Sequence, residues 1–193
     1  LVNFGIKKIR TGSCNFGIEA ILNLCKKKFV DIKTSDLSYL IAPKINAAGR
    51  LSDMSIGIKC LISKNKNEAK MYAKKLNIIN QQRKIIEDKM KQEAFSILDN
   101  HLISNTYSIS LFDNEWHQGV VGILASRIKE KYFRPTIIFA KDEAGNLKGS
   151  GRSINNFHLR DALDLISKKN PLLIKTFGGH AMAAGLKIKK EDF

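Results

Sequence analysis

The chain has 193 residues, 44% hydrophobic and 26% charged, a balance that excludes a disordered tail and suffices for one domain or two small ones. Its formal net charge of +15 attracts polyanions, nucleic acid foremost, although a codon bias towards Lys, Asn and Ile produces part of the same excess. No apolar run approaches the ~20 residues that span a bilayer, so no membrane role is expected.

Only seven of the 33 basic residues are Arg, which makes each Arg more telling than each Lys, because a guanidinium fork grips phosphate bidentately. Cys14, Cys25 and Cys60 are odd in number and form no CxxC pair. Neither a disulfide framework nor a zinc site follows, and a reducing cytoplasm is expected. The chain opens at Leu1 without Met and reads as a piece of something longer.

In chain order, Phe16, Ile18, Ile21, Leu22 and Leu24 recur at helical spacing, with Ser13 or Asn15 as the cap and Lys26-Lys27-Lys28 as the finish. A second short helix starts at Ser35 and ends before Pro43, and a third covers residues 55–62. Residues 67–99 hold neither Gly nor Pro. Tyr72, Leu76, Ile79, Ile86, Met90, Ala94 and Ile97 form a stripe at three-and-four spacing there, predicting one helix of ~50 Å joining two lobes. Arg83 falls on that stripe. Either it looks into a cleft between the lobes, or the stripe drifts onto Ile78 and Ile85 and leaves Arg83 in solvent.

From residue 105 the pattern alternates. Strands are expected over 106–112, 135–140, 146–149 and 186–188, and helices over 119–132 and 159–166. The fold class is therefore α/β: a partial helical lobe, a long connecting helix, and a small α/β lobe with a mixed sheet, a cleft between them. The boundaries fall at residues 1–66, 67–104 and 105–193.

Four stretches spend Gly, polar and basic residues where a core would not. The first is Pro43-Lys-Ile-Asn46-Ala-Ala-Gly49-Arg50, expected as a tight loop after a proline stop. It serves either as a turn or as a close approach for a strand backbone at Asn46 and Arg50. The second, Trp116-His117-Gln118-Gly119, leads into a helix N-terminus. Trp116 is there either to stack on a base or to fill the core, with His117 as its partner. The third, Gly149-Ser150-Gly151-Arg152-Ser153, is expected at a strand end, as a phosphate cradle or a hairpin tip. The fourth, Gly178-Gly179-His180-Ala-Met-Ala-Ala-Gly185, is expected to place His180 in the first turn of a small-residue helix, either to donate to an anion there or with Ala183, Ala184 and Gly185 serving only tight helix-on-sheet packing. His101, His117, His158 and His180 form no tight metal-binding run with the acids, and no metal ligand is assigned.

The order and spacing of these stretches resemble the RecJ branch of the DHH phosphoesterase family. Asn46 to Arg50 and Trp116 to Ile123 look like its narrower motifs. Gly149 to Ser153, Gly178 to Gly185 and the Asn80-Gln-Gln-Arg83 of the connecting helix match it too. The resemblance implies a 5′→3′ exonuclease on single-stranded DNA that serves recombination and repair, with single-strand-binding protein and a helicase as further partners. It implies that residues 1–66 end the catalytic DHH domain and that residues 105–193 form the DHH-associated domain. His180 and Arg152 would hold the phosphate beside the bond being cut. Asn46, Arg50, Arg83, Trp116, His117, Gly119, Ser150, Ser153, Gly178 and Gly179 would face the strand. The Mn²⁺ or Mg²⁺ ligands would lie upstream of Leu1, leaving this stretch inactive alone. A DHH-type oligoribonuclease or nucleotide phosphatase, a non-catalytic nucleic-acid-binding module, and a plain basic domain are the alternatives.

Overall fold

The computed structural model describes residues 1–99 and 106–193, and divides into two compact units, Leu1–Ile85 and Ile86–Phe193. His101 and the end of the expected connector, 100–104, lie outside the described residues.

The first unit is helical. α1 (Val2–Arg10) buries Ile6 and Ile9 and stops at Gly12, whose φ of +75° no helix continues. α2 (Phe16–Leu24) starts on the Asn15 side chain, which accepts the Ile18 N–H at 2.8 Å. It ends sooner than the lysine run suggested, because Lys26 turns left-handed at φ +53°. α5 (Ser55–Ile62) presses on α2 at Gly17, where a Cβ would stand 2.2 Å from the Cys60 carbonyl oxygen. Between them run a helical turn α3 (Thr34–Asp36), a π-turn over Leu37–Ile41 and α4 (Ala42–Leu51). Pro43 was expected to stop a helix and instead opens one. In a first turn its missing N–H has no bond to lose. Ile21, Leu22, Ile32, Ile41, Ala48, Cys60, Ala73 and Leu76 are the centre of this unit's core.

α6 (Lys66–Asp99) is the long helix expected, and it runs through both units. Its buried line is Ala69, Ala73, Leu76, Asn80, Glu87, Met90, Ala94 and Leu98, so midway it turns polar. Ile78 and Ile85 are 54% and 70% exposed, and Arg83 is half-buried, so the stripe does not drift onto them.

The second unit is a five-stranded mixed sheet in the order β1-β2-β3-β5-β4. β1 (Ile109–Phe112) runs parallel to β2 (Thr136–Lys141), joined by α7 (Val121–Tyr132). β3 (Leu147–Arg152), α8 (Leu159–Lys169), β4 (Thr176–Gly179) and β5 (Ala183–Ile188) follow, with antiparallel pairing from β2 onwards.

Strand alternation sorts the side chains onto two faces. Phe139, Leu147, Ala184, Leu186 and Ile188 pack with Leu159 and Leu163 of α8. α7 lies on the opposite face, over β2 and β3, and buries Val121, Leu124, Ala125 and Ile128. The turn from β2 to β3 is tied by Asp142, whose Oδ1 accepts the N–H groups of Ala144 and Asn146, with Gly145 at φ +82°.

Two expectations are corrected here. Gly149 to Arg152 is not a strand-end loop but lies inside β3, the central strand. Gly178 to Gly185 is not a helix but the hairpin of β4 and β5, with Gly178 opposite Gly185 and Gly179 opposite Ala184. Alanine favours helices, but two adjacent glycines, one of them at φ +142°, set a tight turn between paired strands.

Candidate nucleic-acid interface

The surface of interest is the α7 side of the sheet. Ser150 of β3 faces that side, opposite Gly185 of β5, which pairs in turn with Gly178 of β4. With no side chains on Gly185 and Gly178, the surface dips into a trough of about 770 Å³. Gln118, Lys148, Thr176, Gly178, Gly185 and Lys187 are among its lining. A Cβ built on Gly178 would meet nothing within 4 Å, so the room above it is open to a ligand.

Arg152 lies two residues beyond Ser150 on the same face. Its Nη1 donates to Ser150 Oγ at 3.2 Å and to the Gly151 carbonyl at 2.8 Å. The guanidinium runs beside the first turn of α7. A Cβ at Gly122 would stand 3.0 Å from Arg152 Nη2 and 2.9 Å from Ser150 Oγ. Gly122 therefore gives the side chain its channel. The helix N-terminus and the guanidinium bring the same sign of charge to one place, an arrangement that suits an anion.

His180 sits in the β4–β5 turn and is exposed. Its backbone N–H donates to the Ala183 carbonyl at 2.8 Å. Gly179 must be glycine, since a Cβ there would lie 2.4 Å from the Ala183 oxygen. The turn is tied down from outside: the Ser153 N–H donates to Met182 O at 3.0 Å and the Leu159 N–H to Ala181 O at 2.9 Å. Arg152 pairs with Ala183, so the guanidinium strand and the histidine turn end at the same edge of the unit.

The lead into α7 carries the third motif. His117 is half-buried, and its Nδ1 accepts the Gly119 N–H at 3.0 Å. A backbone N–H can only donate, so Nδ1 is bare and the neutral ring's proton resides on Nε2, leaving that atom as a donor.

Two expected strand contacts are corrected by burial. Trp116 is 3% exposed, and its indole N–H donates to Glu93 Oε2 at 3.0 Å. The ring offers no open face for a base, because it fills the space between α6 and the start of α7. Ser153 is 1% exposed and gives its hydroxyl to the Phe157 carbonyl at 2.6 Å, so its side chain faces inwards and ties a loop.

The remaining candidates are in the first unit. Asn46 and Arg50 are exposed and lie one turn apart on α4, in a helix and not in the loop expected, while Ala47 and Ala48 between them are buried. Arg83 Nη2 donates to Asn80 Oδ1 at 3.0 Å, and Asn80 is 4% exposed.

Sequence reasoning missed Gln118, Lys148, Thr176 and Lys187 as trough-lining residues. The readable signal was alternation: Lys148 sits two places from Ser150, and Lys187 two places from Gly185, on the face that those residues open. Lys187 Nζ holds Asp142 Oδ2 at 2.6 Å. That bond, chiefly, keeps the Asp142 carboxyl below the usual carboxylate range, with partial desolvation opposing and the Asn146 and Ala144 N–H groups assisting. Among the described residues no three His, Cys, Asp or Glu side chains gather to hold a metal ion. The described groups of this surface do not fit a metal site.

Residues 104–193 match the DHHA1 domain. The chain is 45% identical over 192 residues to the single-stranded-DNA-specific exonuclease RecJ of Escherichia coli K12, covering 98% of this chain and 33% of that protein. It is 30% identical over 193 residues to the single-stranded-DNA-specific exonuclease RecJ of Bacillus subtilis 168, covering all of this chain and 24% of the relative. Among solved structures, RecJ of Thermus thermophilus in complex with Mg²⁺ superposes with a TM-score of 0.78 at 28% identity, over 95% of this chain and 27% of that one. An exonuclease RecJ bound to manganese gives a TM-score of 0.78 at 28% identity, over 97% and 44%. The chain thus spans a third or less of the curated relatives named here.

Proposed function

The chain belongs to the RecJ branch of the DHH family, and on that premise we propose that it forms the strand-gripping part of a single-stranded-DNA-specific 5′→3′ exonuclease serving recombination and repair. Residues 1–66 are the end of its catalytic domain, 67–104 the connector and 105–193 the substrate-binding domain. The observation that carries the reading is the Arg152 guanidinium laid beside the first turn of α7, at the end of β3 that pairs with Ala183, the residue that leaves the His180 turn. A guanidinium beside a helix N-terminus, with a histidine turn at the end of the same strand pair, suits a phosphate.

In this reading Arg152 and His180 hold the phosphate next to the bond being cut. Their positive and donor groups are fixed before the reaction, so they favour the charge that develops on the phosphoryl oxygens. Ser150 steadies the Arg152 fork. Gly178 and Gly179 let the strand come close, and His117 and Gly119 face it from the α7 side. Asn46 and Arg50 of the catalytic domain and Arg83 of the connector also contact single-stranded DNA. The parent enzyme's Mn²⁺ or Mg²⁺ is held by residues outside this chain, and so is the hydrolytic chemistry. Single-stranded DNA is the substrate, with single-strand-binding protein and a helicase as further partners in the cytoplasm; no helix among the described residues is long and apolar enough to cross a membrane.

Incubation of this chain with end-labelled single strands and Mn²⁺ tests the division of labour. The strands are expected to be bound and left intact. Metal-dependent release of mononucleotides would contradict the placing of the metal ligands elsewhere, and failure to bind any single strand would contradict the whole reading.

A further inference from the structure

The segment from Asp113 to Val120 carries His117 and delivers the chain into the first turn of α7, yet it belongs to no strand or helix. Most of its bonds are local. The Glu115 N–H donates to Asp113 Oδ1 at 2.8 Å, the Val120 N–H to His117 O at 2.9 Å and the Gly119 N–H to His117 Nδ1 at 3.0 Å. Such bonds fix the segment's shape but not where it stands on the unit. Its ties to the rest include two side-chain bonds: Lys190 Nζ to Asn114 Oδ1 at 3.2 Å, on the exposed side, and Trp116 Nε1 to Glu93 Oε2 at 3.0 Å.

Of these two, the second is made by a buried side chain, the 3%-exposed Trp116. Glu93 belongs to a set of three acids by which α6 holds α7 and its lead-in. Glu87 accepts from Arg127 at 3.4 Å, Glu93 from Trp116, and Asp99 from the Tyr132 hydroxyl at 3.2 Å. Glu93 is directed at the segment before the helix. Its other oxygen lies 3.8 Å from Lys89 Nζ, one turn back on α6, which helps orient the carboxylate.

We infer that Glu93 is a positioning residue: by accepting the indole N–H of Trp116 it fixes where His117 Nε2 and the start of α7 point. The inference rests on the proposed reading that His117 faces a nucleic-acid strand. It also explains why a buried tryptophan stands beside a polar histidine in this motif. The ring acts on the strand through its neighbour, by anchoring, and not by stacking.

The test separates anchoring from charge. Glu93→Gln and Glu93→Ala both remove one negative charge, which by itself would strengthen the binding of a polyanion equally in the two variants. Only Ala also removes the acceptor. If anchoring governs, Glu93→Gln binds a fluorescein-labelled oligothymidylate at least as well as the parent chain. Glu93→Ala binds it about five-fold more weakly than Glu93→Gln, the worth of one hydrogen bond. Trp116→Phe, which keeps an aromatic ring, though a smaller one, and loses the donor, falls with Glu93→Ala, and combining Glu93→Ala with His117→Ala adds little to the loss from His117→Ala alone.

Trp116 is the sole tryptophan, so its emission reports the bond directly. A shifted spectrum is expected in Glu93→Ala and a parent-like one in Glu93→Gln. Equal affinity of the Ala and Gln variants, or an unshifted Ala spectrum, overturns the inference while leaving the proposed function standing. A parent chain that binds no single strand overturns both.

Discussion

Gly122→Ala probes the channel that Arg152 occupies. The added methyl would stand 3.0 Å from Arg152 Nη2 and 2.9 Å from Ser150 Oγ, closer than side-chain carbons approach such atoms. Arg152 has the flexible side chain and is the group that moves. Stability changes little, because replacing glycine in a helix gains up to ~1 kcal/mol while crowding of this kind costs roughly 1–3 kcal/mol. The loss falls on binding. A charge-assisted hydrogen bond is worth about 1.5–3 kcal/mol, and displacing the fork should weaken single-strand affinity by roughly 10- to 100-fold. Anisotropy of a labelled oligonucleotide at fixed salt measures the affinity, and a thermal melt of the same sample measures stability. Unchanged affinity together with an unchanged melt would refute the claim that Gly122 exists to seat Arg152.

Trp116→Ala should destabilise the chain by about 3–5 kcal/mol, as for other large buried aromatics, visible as a lowered Tm and an earlier denaturant midpoint; a small loss of stability with a large loss of binding would restore the ring to the strand. Gly179→Ala forces a Cβ to within 2.4 Å of the Ala183 oxygen at a backbone φ of +142°, so a Tm drop of several degrees is expected, whereas Gly178→Ala, with nothing within 4 Å, should melt normally and lose affinity if the strand passes over it. Asp142 has a folded pKa below its ordinary value, so its stabilising effect is complete above about pH 4 and disappears as the pH falls through the folded pKa. Asp142→Asn should accordingly flatten the stability-against-pH curve on the acid side, read by urea unfolding across the acid range, and an unaltered curve would show that the bond to Lys187 contributes nothing.

The elements legible from sequence were those with strong local signals. The long helix was readable because 34 residues pass without Gly or Pro, and the start of α2 was narrowed to a Ser13 or Asn15 cap, of which Asn15 is the one that accepts an N–H. The α7 and α8 helices and the β2 strand were readable from their apolar spacing. What failed did so where tertiary pairing outweighs local preference. Gly149 to Arg152 is weak strand sequence, yet it is the central strand, because glycine is what lets Phe139 and Leu186 close over one face at Gly149 and Leu159 at Gly151. Ala183 and Ala184 are good helix residues held as strand by their pairing to Arg152 and Gly151. α1 escaped notice because only Ile6 and Ile9 mark its buried side.

For the site, the residue types pointed to phosphate chemistry, and three of the four motifs do come together in one unit. Burial could not be read from composition. Trp116 and Ser153 look like ligand-facing residues in a linear motif, and only the positions of Glu93 and Phe157 reveal that they face inwards.

The most direct measurement is single-strand affinity as a function of salt for the parent chain, Arg152→Ala and Arg152→Lys. If Arg152 holds a phosphate, log K falls linearly with log salt in the parent. Arg152→Ala then binds more weakly with a slope shallower by ~0.7, the release of one counterion from a single strand. Arg152→Lys should recover the slope but only part of the affinity, because a point charge neutralises the phosphate without the bidentate fork. Identical slopes in all three proteins, with the fold intact in each, would contradict a phosphate at Arg152 and with it the reading of this chain as the strand-gripping part of the enzyme.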